Sequence, residues 1–577
     1  MLYAGRKRTL NDCSAVAGKT RMSEVDADVD KTVVLHRGIL LELRDTMNHR
    51  AHTTVSDDLP MDWVGDWAGR RRALTPHRLA VIDADNDRHF DYVTLDTRVK
   101  RVAAWLRDEA GLGKGDVVAL ISGNRLEAVE LALACGKLGI VVAPVSHRLA
   151  PREAAALLAR LAPQCLFHDA ASADFVARLG AQREAIPRFC LDGPDSDHAR
   201  MLLAPEPQRI GEALALSDTA LIVHTGGSTG LPKLCQISHR QMVWNAIELL
   251  VAAPDGLGGR RELVLFPLFH IGGWNTVLPV LYGGGCVVLQ AGFDPAAALA
   301  AIARYGVNHL GAVEAMLQAM TSAPEFGDTD LSSLAGITTA GAPCAEASMA
   351  PFFARGIPVS QSYGLTEAGP SNFIHGRDGQ SIASLRGDYA SVGSSFFHCD
   401  YRIVDPVSGD EVDIGTPGEL RLRSPHSFDG YLDDATATAE RMLPGGWVRS
   451  GDLAVERPEG GVQVIGRLDN VIVSGGENVA AEELEAALRE HPAVTGALVF
   501  GLPHDRWGER PAAWVTRHPG TAITPSGIAE WLSGRLAGFK RPTLIRVVEA
   551  LPLTGAGKLD RRAAKDQQMQ ELPGDKP

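Results

Sequence analysis

The stretch His224-Thr225-Gly226-Gly227-Ser228-Thr229-Gly230-Leu231-Pro232-Lys233 decides how this chain is read. The run Thr219 to Val223 before it reads as a short buried strand, and Leu234-Cys235-Gln236-Ile237 after it reads as a second. Between them lies a loop with three glycines, three hydroxyls and one lysine. Glycines let backbone N–H groups close around an anion. Thr225, Ser228 and Thr229 add donors, and Lys233 adds a point charge. The loop has the chemistry of a phosphate cradle. It is not the P-loop of the nucleoside triphosphatases, which needs Gly directly before the Lys and Ser or Thr after it. Pro232 and Leu234 stand in those places.

Upstream of the loop, helical and strand-like patterns alternate. Val99, Val102, Ala103 and Leu106 recur at helical spacing, and Val117 to Ile121 reads as a strand. Arg125 to Leu138 reads as a helix, Ile140 to Ala143 as a strand, Glu153 to Leu161 as a helix and Cys165 to Phe167 as a strand. Downstream, His239 to Ala252 reads as a helix and Leu263 to Phe266 as a strand. Such alternation predicts a mostly parallel sheet with helices on both faces. From about Val392 the strands shorten and turns multiply, which predicts an antiparallel β subdomain. From Val471 a helix (Ala481 to Glu490), strands (Ala497 to Phe500, Ala512 to Val515) and a helix (Ser526 to Leu536) predict a small α+β unit. The fold class is therefore α/β, in three parts. Residues 1–56, polar and without periodicity, form a loosely ordered arm. Residues 57–468 form the large domain, and residues 469–577 the small one.

A chain of 577 residues exceeds what one core sustains. The net charge of −13 argues against a nucleic-acid partner, which calls for a basic face. No apolar run reaches the roughly 18–20 residues of a membrane span. The eight cysteines are scattered, as expected of reduced core residues in a cytoplasmic protein.

Five further stretches carry chemistry. Phe269-His270-Ile271-Gly272-Gly273-Trp274 follows a strand, where open α/β sheets bind ligands. Its two glycines are expected to leave room and Trp274 to wall an apolar tail. Thr338 to Pro343 is a loop of small residues against which a planar base can lie. In Gln361 to Glu367, Tyr363 offers a stacking ring, Thr366 a phosphate donor, and Glu367 hard oxygen ligands for Mg²⁺. Asp452, after the turn Ser450-Gly451, can accept hydrogen bonds from both hydroxyls of a ribose. Pro552-Leu-Thr-Gly-Ala-Gly-Lys558 places a lysine in a second glycine loop that also fails as a P-loop, since Leu559 follows.

With the segment Gly466 to Asn478, these motifs fall in the order found in the adenylate-forming superfamily. That group comprises acyl-CoA synthetases, peptide-synthetase adenylation domains and firefly-type luciferases. The chain resembles it over about residues 60–565, with Gly226 and Ser228 as mild departures in the phosphate loop and Ser450 in place of the usual Thr. The resemblance implies that Thr225, Gly226, Gly227, Ser228, Thr229, Gly230 and Lys233 hold the ATP phosphates. It implies that Gly341, Ala342, Pro343 and Tyr363 line the adenine site, and that Asp452 and Arg467 hold the ribose. His270 would sit beside the substrate carboxylate. Amino-acid-activating members place an Asp there, so an amino-acid substrate is not expected. Thr366 and Glu367 would serve phosphate and Mg²⁺, and Lys558 would be the mobile catalytic lysine. Asp469 would be the hinge, Gly475 and Gly476 would approach pantetheine, and Lys540 would lie near the CoA phosphates.

The expected activity is an ATP-dependent carboxylic acid–CoA ligase, in which acyl-AMP forms first and acyl-CoA second. A medium- or long-chain fatty acid is the leading substrate, with a place in fatty-acid metabolism, and an aryl acid is second. The cofactors and co-substrates implied are ATP, Mg²⁺ and CoA. A carrier protein as thiol acceptor, and from another class a non-catalytic nucleotide-binding module, are the rival readings.

Overall fold

The structure is a computed structural model. It describes residues 59–571 except 180–185, 226–231, 254–255, 377–380, 475–476, 505–507, 534, 537 and 555–557. The described residues belong to one unit, Asp57–Pro577. The expected N-terminal arm, residues 1–56, lies outside them.

The strand before the phosphate loop is Thr219–Thr225 and the one after it is Lys233–Ser238, paired antiparallel. They sit in a seven-stranded sheet whose order is Gly430–Tyr431, Lys233–Ser238, Thr219–Thr225, Val141–Pro144, Val117–Ile121, Cys165–His168, Arg188–Cys190. A nine-stranded sheet has a parallel centre built from Arg261–Val264, Cys286–Leu289, His309–Ala312, Gly336–Thr339 and Val359–Leu365, with antiparallel strands toward its edges. The inner strands Val117–Ile121, Val141–Pro144 and Cys286–Leu289 are covered on both faces, which is why they are continuous apolar runs. In Val117–Ile121, Val118 and Leu120 face one core, while Ala119 and Ile121 face another. In Cys286–Leu289, Val287 and Leu289 join that same first core, and Cys286 and Val288 a third. The first core thus lies between the two sheets. Helices Tyr92–Asp108, Leu126–Leu138 and Ile271–Gly283 contribute to it.

The antiparallel subdomain is a five-stranded sheet of Asp400–Val404, Gly418–Arg423, Trp447–Glu456, Met442–Leu443 and Val462–Arg467. Its first strand starts at Asp400, and Val392 and Gly393 already bridge to Val462 of this sheet. The C-terminal sheet holds Val471–Ser474, Glu477–Ala480, Val494–His504, Gly508–Arg517 and Leu544–Val547. Val494–His504 and Gly508–Arg517 are longer than expected, and they pair with one another from Val494 opposite Arg517 to His504 opposite Gly508. The last helix before Lys540 ends at Ser533, short of the expected Leu536. Among the described residues no helix is long and apolar enough to cross a membrane.

Candidate active site

The loops after the central strands of both large sheets, the antiparallel subdomain and the C-terminal sheet surround one cleft of about 3310 Å³. Of the residues singled out in the sequence, Thr225, His270, Gly341, Ala342, Pro343, Tyr363, Thr366, Glu367, Asp452, Arg467, Lys540 and Lys558 all line it. Gly226, Gly227, Ser228, Thr229, Gly230, Gly475 and Gly476 lie outside the described residues.

The strand Val359–Leu365 ends in a short 3₁₀ turn, Thr366–Ala368, that buries Glu367 at the cleft wall. The Tyr431 hydroxyl donates to Glu367 Oε1 at 2.7 Å, and the Arg441 guanidinium lies 3.6 Å from the same oxygen. Lys233 stands over the other side of this tyrosine, with Nζ 4.9 Å from the ring centroid. Burial, with the Glu367 charge beside it, pushes the Tyr431 phenol well above its ordinary value, so it stays a donor. Glu367 Oε2 has no partner among the described residues. That suits Mg²⁺, which binds one or two carboxylates and takes its remaining ligands from phosphate and water. The Gln241 amide, donating to Thr366 O at 3.0 Å, fixes the turn from behind.

The second acid is Asp452, on Trp447–Glu456. Tyr363 donates to its Oδ2 at 2.5 Å and Arg467 Nη1 lies 3.1 Å from its Oδ1. Ser450, which replaces the usual Thr, keeps the turn: its Oγ accepts from Asp452 N at 2.9 Å and donates to Leu420 O at 2.5 Å. Burial raises the Asp452 carboxyl, and the Arg467 charge opposes that rise. The small-residue loop is open on its cleft side. Gly341 has φ +89°, and Ala342 and Pro343 are exposed.

His270 is the residue before helix Ile271–Gly283, so the first free N–H groups of that helix lie beside it. Burial, and then the nearby cations and His224, lower its pKa to about 3. It is a neutral imidazole at physiological pH, a hydrogen-bonding partner rather than a cation. His224 is packed 6.2 Å from it, ring to ring. Its Nε2 accepts from Ser146 N at 3.2 Å, which puts its proton on Nδ1, and burial lowers its pKa to about 4.

Two expectations at this helix are corrected. Trp274 does not wall the cleft; it is 1 % exposed and belongs to the core between the sheets. Helical geometry decides this: Ile271, Gly272, Asn275, Thr276 and Pro279 face the cleft, so Trp274, Val277 and Leu281 face away. Nor do both glycines make room. A Cβ on Gly272 would touch the Phe266 ring at an ordinary 3.6 Å, but one on Gly273 would lie 2.4 Å from Pro267 O. Gly273 is there for a close backbone approach.

Lys558 reaches the same cleft from the C-terminal part. Thr554 and Lys558 are tied to one another, Thr554 N donating to Lys558 O at 2.7 Å and Lys558 N donating to Thr554 Oγ1 at 3.2 Å. The lysine side chain retains solvent contact through the cleft. The surrounding protein and the Arg467 charge lower its pKa, and Asp452 and Glu367 oppose that shift. The lysine is thus gathered into one electrostatic cluster with both acids. Lys540 is held by Glu483, with Nζ 2.6 and 2.9 Å from its two oxygens. Asp469 is exposed in the turn Leu468–Asn470, which joins the antiparallel subdomain to the C-terminal sheet. Sequence reasoning missed Tyr431, Arg441 and His224. Tyr431 arrives only because Gly430–Tyr431 pairs with Lys233–Ser238, and nothing local to it signals that pairing.

A family model described as AMP-binding enzyme matches residues 69–432, and its C-terminal domain model matches residues 483–558. The chain is 36 % identical to a feruloyl-CoA synthase of an Amycolatopsis species over 498 residues, covering 86 % of this chain and 97 % of that one. It is 32 % identical to an indoleacetate–CoA ligase of Aromatoleum aromaticum, covering 86 % and 96 %. A solved o-succinylbenzoate CoA synthetase of Bacillus subtilis, in complex with ATP and magnesium ion, superposes with TM-score 0.76 at 26 % identity, covering 87 % and 99 %. This chain belongs to the AMP-binding enzyme family and is an acid–thiol ligase of the adenylate-forming superfamily.

Proposed function

We propose that this enzyme activates an aromatic acid bearing an oxygen substituent, first as the acyl-adenylate and then as the CoA thioester. One observation carries the choice of acid. Asn275 and Ser371, both lining the cleft, form a hydrogen-bonded seam: Asn275 Nδ2 donates to Ser371 Oγ at 3.2 Å, and Asn245 Nδ2 donates to Asn275 Oδ1. Ser371 is 5 % exposed, and its hydroxyl proton has no acceptor among the described residues. An alkyl chain filling this pocket leaves that donor unpaired, at roughly 1–3 kcal/mol. A hydroxyl, methoxyl or carbonyl oxygen on the acid pairs it. Asn275 lies five residues along the helix from His270, about 7.5 Å of axial rise. That is the scale of the span from a carboxyl carbon across an aromatic ring to an oxygen. Both relatives named above are ligases of aromatic acids by name, and the acid of the feruloyl-CoA synthase also carries ring oxygens that such a seam would pair. The alkyl tail of the fatty acid expected from sequence does not pair the seam.

In the first half-reaction the carboxylate, beside His270 and the helix N-terminus, attacks the α-phosphorus of ATP. An acyl–oxygen–phosphorus bond forms and pyrophosphate leaves. Lys558 supplies positive charge where negative charge builds, and the Thr225–Lys233 loop holds the phosphates. Mg²⁺ at Glu367 would neutralise phosphate charge. In the second, the CoA thiol attacks the acyl carbon and AMP leaves. The C-terminal part turns about Asp469 between the halves, withdrawing Lys558 and bringing Gly475 and Gly476 to the thiol. A carrier protein's pantetheine is the rival acceptor.

The test is a panel of hydroxy-, methoxy- and unsubstituted aromatic acids with fatty acids of graded length, given ATP and CoA and read by mass spectrometry. Oxygenated aromatic acids should lead their parents by about tenfold in kcat/KM. Ser371→Val should erase that margin. A fatty acid at the head of the panel would overturn the reading.

A further inference from the structure

The loop that is to hold adenine is pinned by one carboxylate. Glu314 begins the helix Glu314–Ser322, and its Oε1 accepts from Ala345 N at 3.0 Å and Ser348 Oγ at 2.9 Å. Ala345 is two residues past Pro343, so Glu314 fixes the far end of the Gly341–Pro343 loop. Its other oxygen faces the C-terminal part: Glu314 Oε2 lies 3.7 Å from Arg489 Nη1. Arg489 is the last residue of helix Ala481–Arg489, where the helix dipole favours a cation. Both side chains are largely covered, at 13 and 22 % exposure, and Arg489 Nε is buried without a partner.

The same helix carries Glu482 and Glu485. Glu485 holds Arg561 Nη2 with both oxygens at 2.7 Å, and Glu482 lies 3.0 Å from it. Arg561 is three residues beyond Lys558. One rigid helix therefore touches the adenine loop's anchor at its C-terminal end, and near its start grips the segment that carries the catalytic lysine.

We propose that Arg489 is a positioning residue for adenylation: its ion pair with Glu314 couples the seating of the Gly341–Pro343 loop to the delivery of Lys558. This rests on the two-state reading above. When the C-terminal part rotates, helix Ala481–Arg489 rotates with it and the pair parts, so thioester formation proceeds without it. Adenosine binding and closure then favour one another, because each orders a side of the same contact.

Arg489→Gln, which keeps the length and removes the charge, should raise KM for ATP and slow adenylate formation, about fivefold together, the size expected of a partly covered ion pair. Thioester formation from synthetic acyl-adenylate and CoA should be unchanged, as should the melting temperature. Arg489→Lys should recover most of the loss. Glu314→Gln keeps an acceptor for Ala345 N, so it should match Arg489→Gln, and the double variant should be no worse than either. Equal losses in both half-reactions, no loss in either, or additive effects in the double variant would each overturn the proposal. Lys558→Ala run alongside separates the two ideas. If it slows both halves alike, the two-state reading fails and takes this proposal with it; if it slows adenylation alone while Arg489→Gln does nothing, only the proposal fails.

Discussion

Removing one oxygen from Tyr431 isolates the hydrogen bond that orients Glu367. The hydroxyl is 2.7 Å from Glu367 Oε1, while the ring independently carries the Lys233 ammonium at 4.9 Å. Tyr431→Phe deletes the first contact and keeps the second. A hydrogen bond to a charged group contributes about 1.5–3 kcal/mol net. Arg441 remains 3.6 Å from the same carboxylate oxygen and still restrains it, which argues for the lower end. About 1.5 kcal/mol corresponds to roughly a tenfold loss of adenylation, with a higher Mg²⁺ requirement. Tyr431→Ala also removes the ring beneath Lys233, which adds about 0.5–2 kcal/mol. The assay is ATP–pyrophosphate exchange across a Mg²⁺ titration, with thioester formation from synthetic acyl-adenylate as the control. The two variants should form a graded series in exchange and leave the control intact. Unchanged exchange in Tyr431→Phe would refute the role given to this hydroxyl. Equal loss in both assays would show that the substitution disturbs the fold rather than the acid.

Lys558→Ala should cost adenylation about 10²–10³-fold, roughly 3–4 kcal/mol, and retain thioester formation; the half-reactions measured separately decide it. Gly273→Ala should lower the melting temperature, because its Cβ meets Pro267 O at 2.4 Å, whereas Gly272→Ala meets Phe266 at 3.6 Å and should not; differential scanning calorimetry reads both. His224, His239 and His426 are each lowered by burial to about 4 from the ordinary 6.5. Between those values the unfolded chain binds more protons than the folded one, so stability must fall as pH falls through this window, by up to ~1.4 kcal/mol per pH unit for each histidine. Denaturant midpoints that stay flat from about pH 6.5 to 5 would contradict that sign.

Much of this molecule was legible in order along the chain. Runs such as Val117–Ile121 and Cys286–Leu289 announce strands covered on both faces, because every side chain in them is apolar or small. Thr225, Glu367, Asp452 and Lys558, which the fold brings to one cleft, stand out in the sequence because backbone closeness to phosphate, a hard oxygen and a mobile charge each call for particular residues in a short local pattern. What sequence left undecided was sidedness and distant pairing. Helix Ile271–Gly283 is apolar on nearly every face, so no stripe told that Asn275 opens on the cleft and Trp274 on the core. Tyr431 meets Glu367, and Arg489 meets Glu314, across long stretches of intervening chain. Those contacts are set by which strands pair and which helix end reaches the cleft, and a hydrogen bond or ion pair leaves no periodic trace in either partner's neighbourhood. Local chemistry is written in the sequence because each motif must satisfy its own backbone; the contacts that couple motifs exist only once the sheets have packed.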